Sequence, residues 1–163
     1  MHTTPGQPQC RRAALAVLAL GIYLEAMEWI DFYPWNNIRA GNGQATLDVV
    51  IAGVLSILIA WLWWGGRIPA LLSAGLIGLW GYFQIATWWI PYIEGASSGW
   101  KKVYAKWFAG STQILPASPD HLPPDANHFV LQLFVLLAFL LSASAAVAAF
   151  SSASSAHSPR PLR

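Results

Sequence analysis

The chain has 163 residues, 56% hydrophobic and only 10% charged, with a net charge of +2. Soluble domains carry about a quarter charged residues, so this chain has too few to cover the surface of a water-soluble globule, and no basic run points to nucleic acid. The single cysteine, Cys10, excludes an internal disulfide framework and any C-x-x-C redox or zinc motif.

A membrane-spanning helix needs about 20 mostly apolar residues, and four stretches qualify: 13–33, 46–64, 68–92 and 127–150. The expected fold is an all-α integral membrane protein, a four-transmembrane-helix bundle with a short amphipathic interfacial helix at 99–108. The polar flanks, 1–12 and 151–163, read as disordered cytoplasmic ends by composition.

The first stretch is apolar as far as Leu24. Arg11 and Arg12 followed by AALAVLALGIYL also fit a secretory signal, whose apolar core is about 7–15 residues. No A-x-A cleavage site follows, so an uncleaved helix is expected. Its outer half carries three acids in the run LEAMEWIDFYPW: Glu25, Glu28 and Asp31. Glu25 lies roughly 18 Å along the helix from Ala13, inside a hydrocarbon layer about 30 Å thick. Glu28 follows one turn later on a neighbouring part of the same face, and Asp31 continues the stripe. A charge at a helix centre costs about 2.5–3.5 kcal/mol on insertion scales, and a helix C-terminal end disfavours negative charge. These acids therefore need partners, protonation or water.

In the second stretch Thr46 is an expected N-cap, with Asp48 in the first turn complementing the helix dipole. Gly65, Gly66 and Arg67 then form a tight turn before Ile68 and Pro69, with proline where its missing N–H costs nothing. Stretches two and three should form an antiparallel hairpin. In the third, Gln84 lies about 24 Å from Ile68, at a depth similar to Glu25. Gly75, Gly78 and Gly81 on the same stretch are small enough for close helix approach.

The segment GWKKVYAKWF, 99–108, places Trp100, Val103, Tyr104, Trp107 and Phe108 on an arc of about 140° and Lys101, Lys102 and Lys106 opposite. This pattern predicts a helix in the membrane interface, anchored through Trp100, Lys101, Lys102, Lys106 and Trp107. The proline-rich run LPASPDHLPPDANH, 115–128, is expected to be a stiff lid. Its His121 and His128 match no standard metal-ligand spacing, so no metal site is expected. In the last stretch Asp125 or Asn127 is a candidate cap and His128 lies in the first turn, while the far half is rich in serine and alanine.

Four spans place Arg11, Arg12, Arg67, Arg160 and Arg163 on one side with no acid, and Arg39, the three lysines and all seven acids toward the other. The positive-inside rule then places both termini in the cytoplasm, with a bacterial inner membrane as the expected location. Trp29, Tyr33, Trp35, Trp88, Trp89 and Tyr92 mark one interface, and Trp61, Trp63 and Trp64 the other.

Polar groups from several helices at one depth are the pattern of a pocket. The expected site is Glu25, Glu28, Asp31, Gln84 and His128, an outer-face acidic and aromatic pocket for a lipid-like or cationic ligand or for protons. The alternative is a non-catalytic accessory subunit, its acids buried against a second membrane subunit or another copy of the chain. No nucleotide-binding loop, H-E-x-x-H, G-x-S-x-G or paired haem-ligand pattern is present. No cofactor and no catalytic residue are assigned; membrane lipids are the expected partners.

Overall fold

The computed structural model describes residues 6–36, 45–108 and 110–156, with side chains omitted at 45–48 and 152–156. Among the described residues the α-helices are α1 Gln7–Trp29, α2 Ala45–Trp64, α3 Arg67–Gln84, α4 Ile90–Glu94, α5 Ser98–Trp107 and α6 Ala126–Ala156. No strand occurs among the described residues; Gln113 and Asp125 form an isolated antiparallel bridge. Among the described residues two helical stretches are long and apolar enough to cross a membrane, Arg67–Glu94 and Ala126–Ser151.

The helix ends follow local chemistry. α1 starts at Gln7, earlier than expected, with proline in its first turn. Cys10 and Ala13 are fully buried, so this stretch is held by packing. α1 stops at Trp29 because Asn36 folds back: its side-chain amide donates to the carbonyls of Met27 and Ile30, and its side-chain oxygen accepts from Phe32 N–H. Those bonds satisfy carbonyls that a helix end leaves without partners. Between α2 and α3, Gly65 (φ 81°) and Gly66 (φ 127°) take backbone conformations that L side chains rarely adopt. α6 runs to Ala156, so 151–156 are helical where disorder was expected. Residues 1–5 and 157–163 lie outside the described residues.

α3 and α4 form one continuous rod, interrupted by a π-helical turn at Ile85–Trp89. Pro91 supplies a cause. A proline ring inside a helix clashes with the carbonyl four residues back and lacks an N–H, and one wider turn accommodates both. Ile90 N–H accordingly bonds to Ile85 O, five residues back.

α1 and α6 form the central pair. α1 also packs on α2 and α6 on α3, while α2 and α3 touch far less than either touches the centre. The sequence-adjacent hairpin is thus joined by its turn more than by its faces. Gly6 lies against Ala149, and Gly65 against Gln7, so the start of α1, the α2–α3 turn and the far end of α6 meet at one end. Arg11 stacks on Trp63 there, and Arg67 on Phe150 with its Nε donating to Ala149 O. The buried core runs through Val17, Leu20, Leu55, Leu62, Ile77, Val135 and Ala138. Small residues close the α3–α6 contact. The hydroxyls of Ser73 and Ser142, both fully buried, lie 2.9 Å apart, and the Phe139 ring covers Gly78. Gly81 faces Val135, whereas Gly75 faces open space.

Candidate functional site

At the opposite end, α6 begins in a dense polar and aromatic cluster. Asp125 is 2% exposed and is the N-cap of α6. Its Oδ1 accepts from the His128 backbone N–H and lies 2.8 Å from His128 Nδ1; its Oδ2 accepts from Ser111 Oγ, also at 2.8 Å. Burial opposes ionisation of this carboxyl, but the His128 and Ser111 hydrogen bonds favour the charged form and hold its pKa below the usual carboxylate value. The His128 ring lies 4.3 Å from the Trp88 ring and 5.1 Å from Phe108. Trp88 also contacts Trp100 and Tyr104. Tyr104 donates to Pro123 O and accepts from Gln113 Nε2. Burial, then the nearby Asp125 charge, pushes its phenol up to about 12.

α5 packs beside this cluster. Ser97 caps it by accepting from Trp100 N–H. Much of its apolar arc, Trp100, Tyr104 and Phe108, packs on Trp88 of the protein itself. Trp100 Nε1 is buried with no hydrogen-bond partner among the described residues. Lys101 pairs with Asp120, and Lys106 lies over Trp107. Lys102, Val103 and Lys106 are exposed. The proline-rich run is tied down as well: His121 Nδ1 lies 2.7 Å from Tyr92 O, Tyr92 donates to Pro116 O, and Thr112 bonds to Pro34 O and Ala126 N–H.

The five residues read from the sequence as one pocket make different contacts. Glu25 Oε2 accepts from Trp29 Nε1 at 2.8 Å, one turn along its own helix, while its Oε1 is buried with no hydrogen-bond partner among the described residues. Asp31 is exposed and accepts from Tyr33 N–H. Glu28 is half-buried beside them in sequence and has an interaction of its own. His128 belongs to the Asp125 cluster. Gln84 joins Gln132 and Trp89, and no hydrogen bond links it to Glu25 among the described residues. Arg39 and the Asp48 side chain lie outside the described residues. No metal-holding group of histidine, cysteine or carboxylate side chains occurs among those described.

Gln84 leads to a cavity. Between α3 with its π-turn and α6 runs a groove of about 480 Å³, lined by Ile77, Gly78, Gly81, Tyr82, Gln84, Ile85, Trp89, Phe129, Gln132, Leu133, Val135, Leu136 and Phe139. The lining is almost wholly apolar. Besides the exposed Tyr82, its polar side chains form a relay: Trp89 Nε1 donates to Gln132 Oε1 at 2.8 Å, and Gln132 Nε2 donates to Gln84 Oε1 at 3.4 Å. Consecutive indoles serve two sites, Trp88 against His128 and Trp89 against Gln132. Sequence reading missed Gln132. Its signal was available: an amide inside the apolar run FVLQLFVLL, four residues after His128 and so on the same face.

The chain matches no family model, no curated protein and no solved structure.

Proposed function

We propose that the protein is a four-span integral membrane protein, both ends in the cytoplasm, whose α3–α6 groove takes up a lipid-like ligand. The outward surfaces support the membrane reading. Only 17% of the best apolar window in Arg67–Glu94, and 33% of that in Ala126–Ser151, is buried. A core helix of a soluble protein would be mostly buried. Here Leu71, Leu76, Leu79, Phe83, Leu133, Leu137 and Leu140 face outward. Such faces need hydrocarbon around them. α2 adds Val50, Val54, Ile57 and Trp61, and α1 supplies the fourth pass by its antiparallel packing on α2 and α6.

The observation that carries the ligand is the Trp89–Gln132–Gln84 relay inside an otherwise apolar groove. A groove with one small polar point fits an amphiphile with a long apolar part. Its lining holds no carboxylate, imidazole or thiol, so the reading is binding rather than catalysis. The test uses Leu136, which is 51% exposed on the groove rim and outside the core cluster. Leu136→Trp fills the groove from its mouth. The purified full chain, examined by native mass spectrometry with added phospholipid, should lose at least about fivefold in retained lipid (roughly 1 kcal/mol) at an unchanged melting temperature. Equal retention by both proteins would sink the groove as a lipid site.

A further inference from the structure

Trp89 fixes which way the relay faces. An indole N–H donates and cannot accept, so the Gln132 atom 2.8 Å from it is the carbonyl oxygen. The Gln132 amide nitrogen then turns to the Gln84 oxygen. Both carbonyl groups are thereby engaged, and the group left at the end of the relay is the Gln84 amide, with two N–H donors. The groove lining contains no Asp or Glu to balance a cation and no Lys or Arg to balance a phosphate. What matches it is a neutral hydrogen-bond acceptor. In hydrocarbon an unmet N–H is expensive, so an acceptor there is bound with selectivity.

Depth narrows the acceptor further. Gln84 lies about 26 Å along the helix from Arg67, and Arg67 stands at the arginine-bearing end, with its Nε on the Ala149 carbonyl. A hydrocarbon layer is about 30 Å thick, so Gln84 lies just inside its far boundary. That is the level of the ester carbonyls of bilayer glycerolipids. Beyond it the groove is walled by Ile77, Val135, Leu136 and Phe139, with Phe139 packed over Gly78 and Val135 beside Gly81.

We infer that this groove is an acyl-ester site: one acyl chain of a membrane glycerolipid lies along α3 and α6, and the Gln84 amide donates to its ester carbonyl. The inference rests on the reading of the groove as a lipid site and adds the chemistry of the head contact. A cationic amphiphile finds no counter-charge there.

An ester phospholipid and its dialkyl-ether counterpart differ in the carbonyl alone and make the test. The full chain in detergent is titrated with dioleoyl phosphatidylglycerol and with the ether-linked analogue, and retained lipid is read by native mass spectrometry. Wild type should retain the ester about three- to tenfold better, the range expected for one net hydrogen bond. Gln84→Leu should bring the ester down to the level of the ether. Leu136→Trp should lower both. Equal retention of the two lipids by wild type, or a preference that survives Gln84→Leu, overturns the ester assignment while the groove stands on the Leu136→Trp result. Unchanged retention of both lipids by Leu136→Trp removes the groove reading as well.

Discussion

His128 is bound twice to Asp125: its backbone N–H and its Nδ1 both lie 2.8 Å from the same carboxylate oxygen. The other oxygen holds Ser111, so one buried side chain starts α6 and fixes the loop that follows α5. Asp125→Ala removes a helix cap and the partner of the half-buried His128 Nδ1, while Ser111 keeps its bond to the Phe108 carbonyl. The expected loss is about 2–3 kcal/mol, read from thermal or denaturant unfolding in detergent. The sign of the pH effect follows from the lowered carboxyl pKa. The stabilisation is present above the unfolded value, about 3.9, and is lost as pH falls below it through the folded value. Melting temperatures from pH 6 to pH 2.5 should fall less steeply for Asp125→Asn than for wild type.

Tyr104 sets the alkaline side. Its pKa, pushed up to about 12 by burial and then by Asp125, means the neutral phenol is favoured in the folded protein. That stabilisation is full below the unfolded value, about 10, and is lost as pH rises toward 12. Tyr104→Phe also gives up the bonds to Pro123 and Gln113. It should be about 1 kcal/mol less stable at neutral pH and less sensitive between pH 10 and pH 12, as monitored by melting. A parallel alkaline loss in both proteins would place that sensitivity elsewhere.

Ser73 and Ser142 bond to each other across α3 and α6 in full burial. Either serine changed alone to alanine leaves an unmet hydroxyl and should cost about 1 kcal/mol. The double change should cost less than the sum of the singles, because both partners are removed together. Strict additivity would mean the hydroxyls do not act as a pair.

Glu25 keeps one oxygen on Trp29 and the other buried without a hydrogen-bond partner among the described residues. Glu25→Gln preserves the acceptor for Trp29 and removes the ionisable group. A well-folded protein is expected, with a melting temperature equal to or above wild type and lipid retention unchanged, since Glu25 does not line the groove. A drop in retained lipid would return Glu25 to the site.

Topology is open to direct measurement. Reporter fusions after Arg67 and after Gly110 should report opposite sides of the membrane, as four passes require. Matching signals would remove the four-span arrangement.

Much of this was legible in the chain. Hydrophobic length located α2, α3 and α6 to within a few residues of their starts, because a run of about 20 apolar residues has few other solutions. Glycines at 65 and 66 marked the turn, and the spacing of Trp100, Tyr104 and Phe108 marked one face of α5. Asp125 was a visible cap candidate because capping depends on a side chain and the three residues that follow it. Which polar groups meet was not legible. Depth along a helix puts Glu25, Gln84 and His128 at one level, but rotation about each axis decides which partner each one faces, and rotation is set by packing. Gly78 under Phe139 and Ser73 against Ser142 turn α3 so that Gln84 faces Gln132. Trp88 and Trp89, about 100° apart as successive residues of a helix, part on the packed rod, one to His128 and one to Gln132. Composition and spacing determined that the chain is helical and apolar enough for a membrane; side-chain packing between α3 and α6 decided where its polar groups gather.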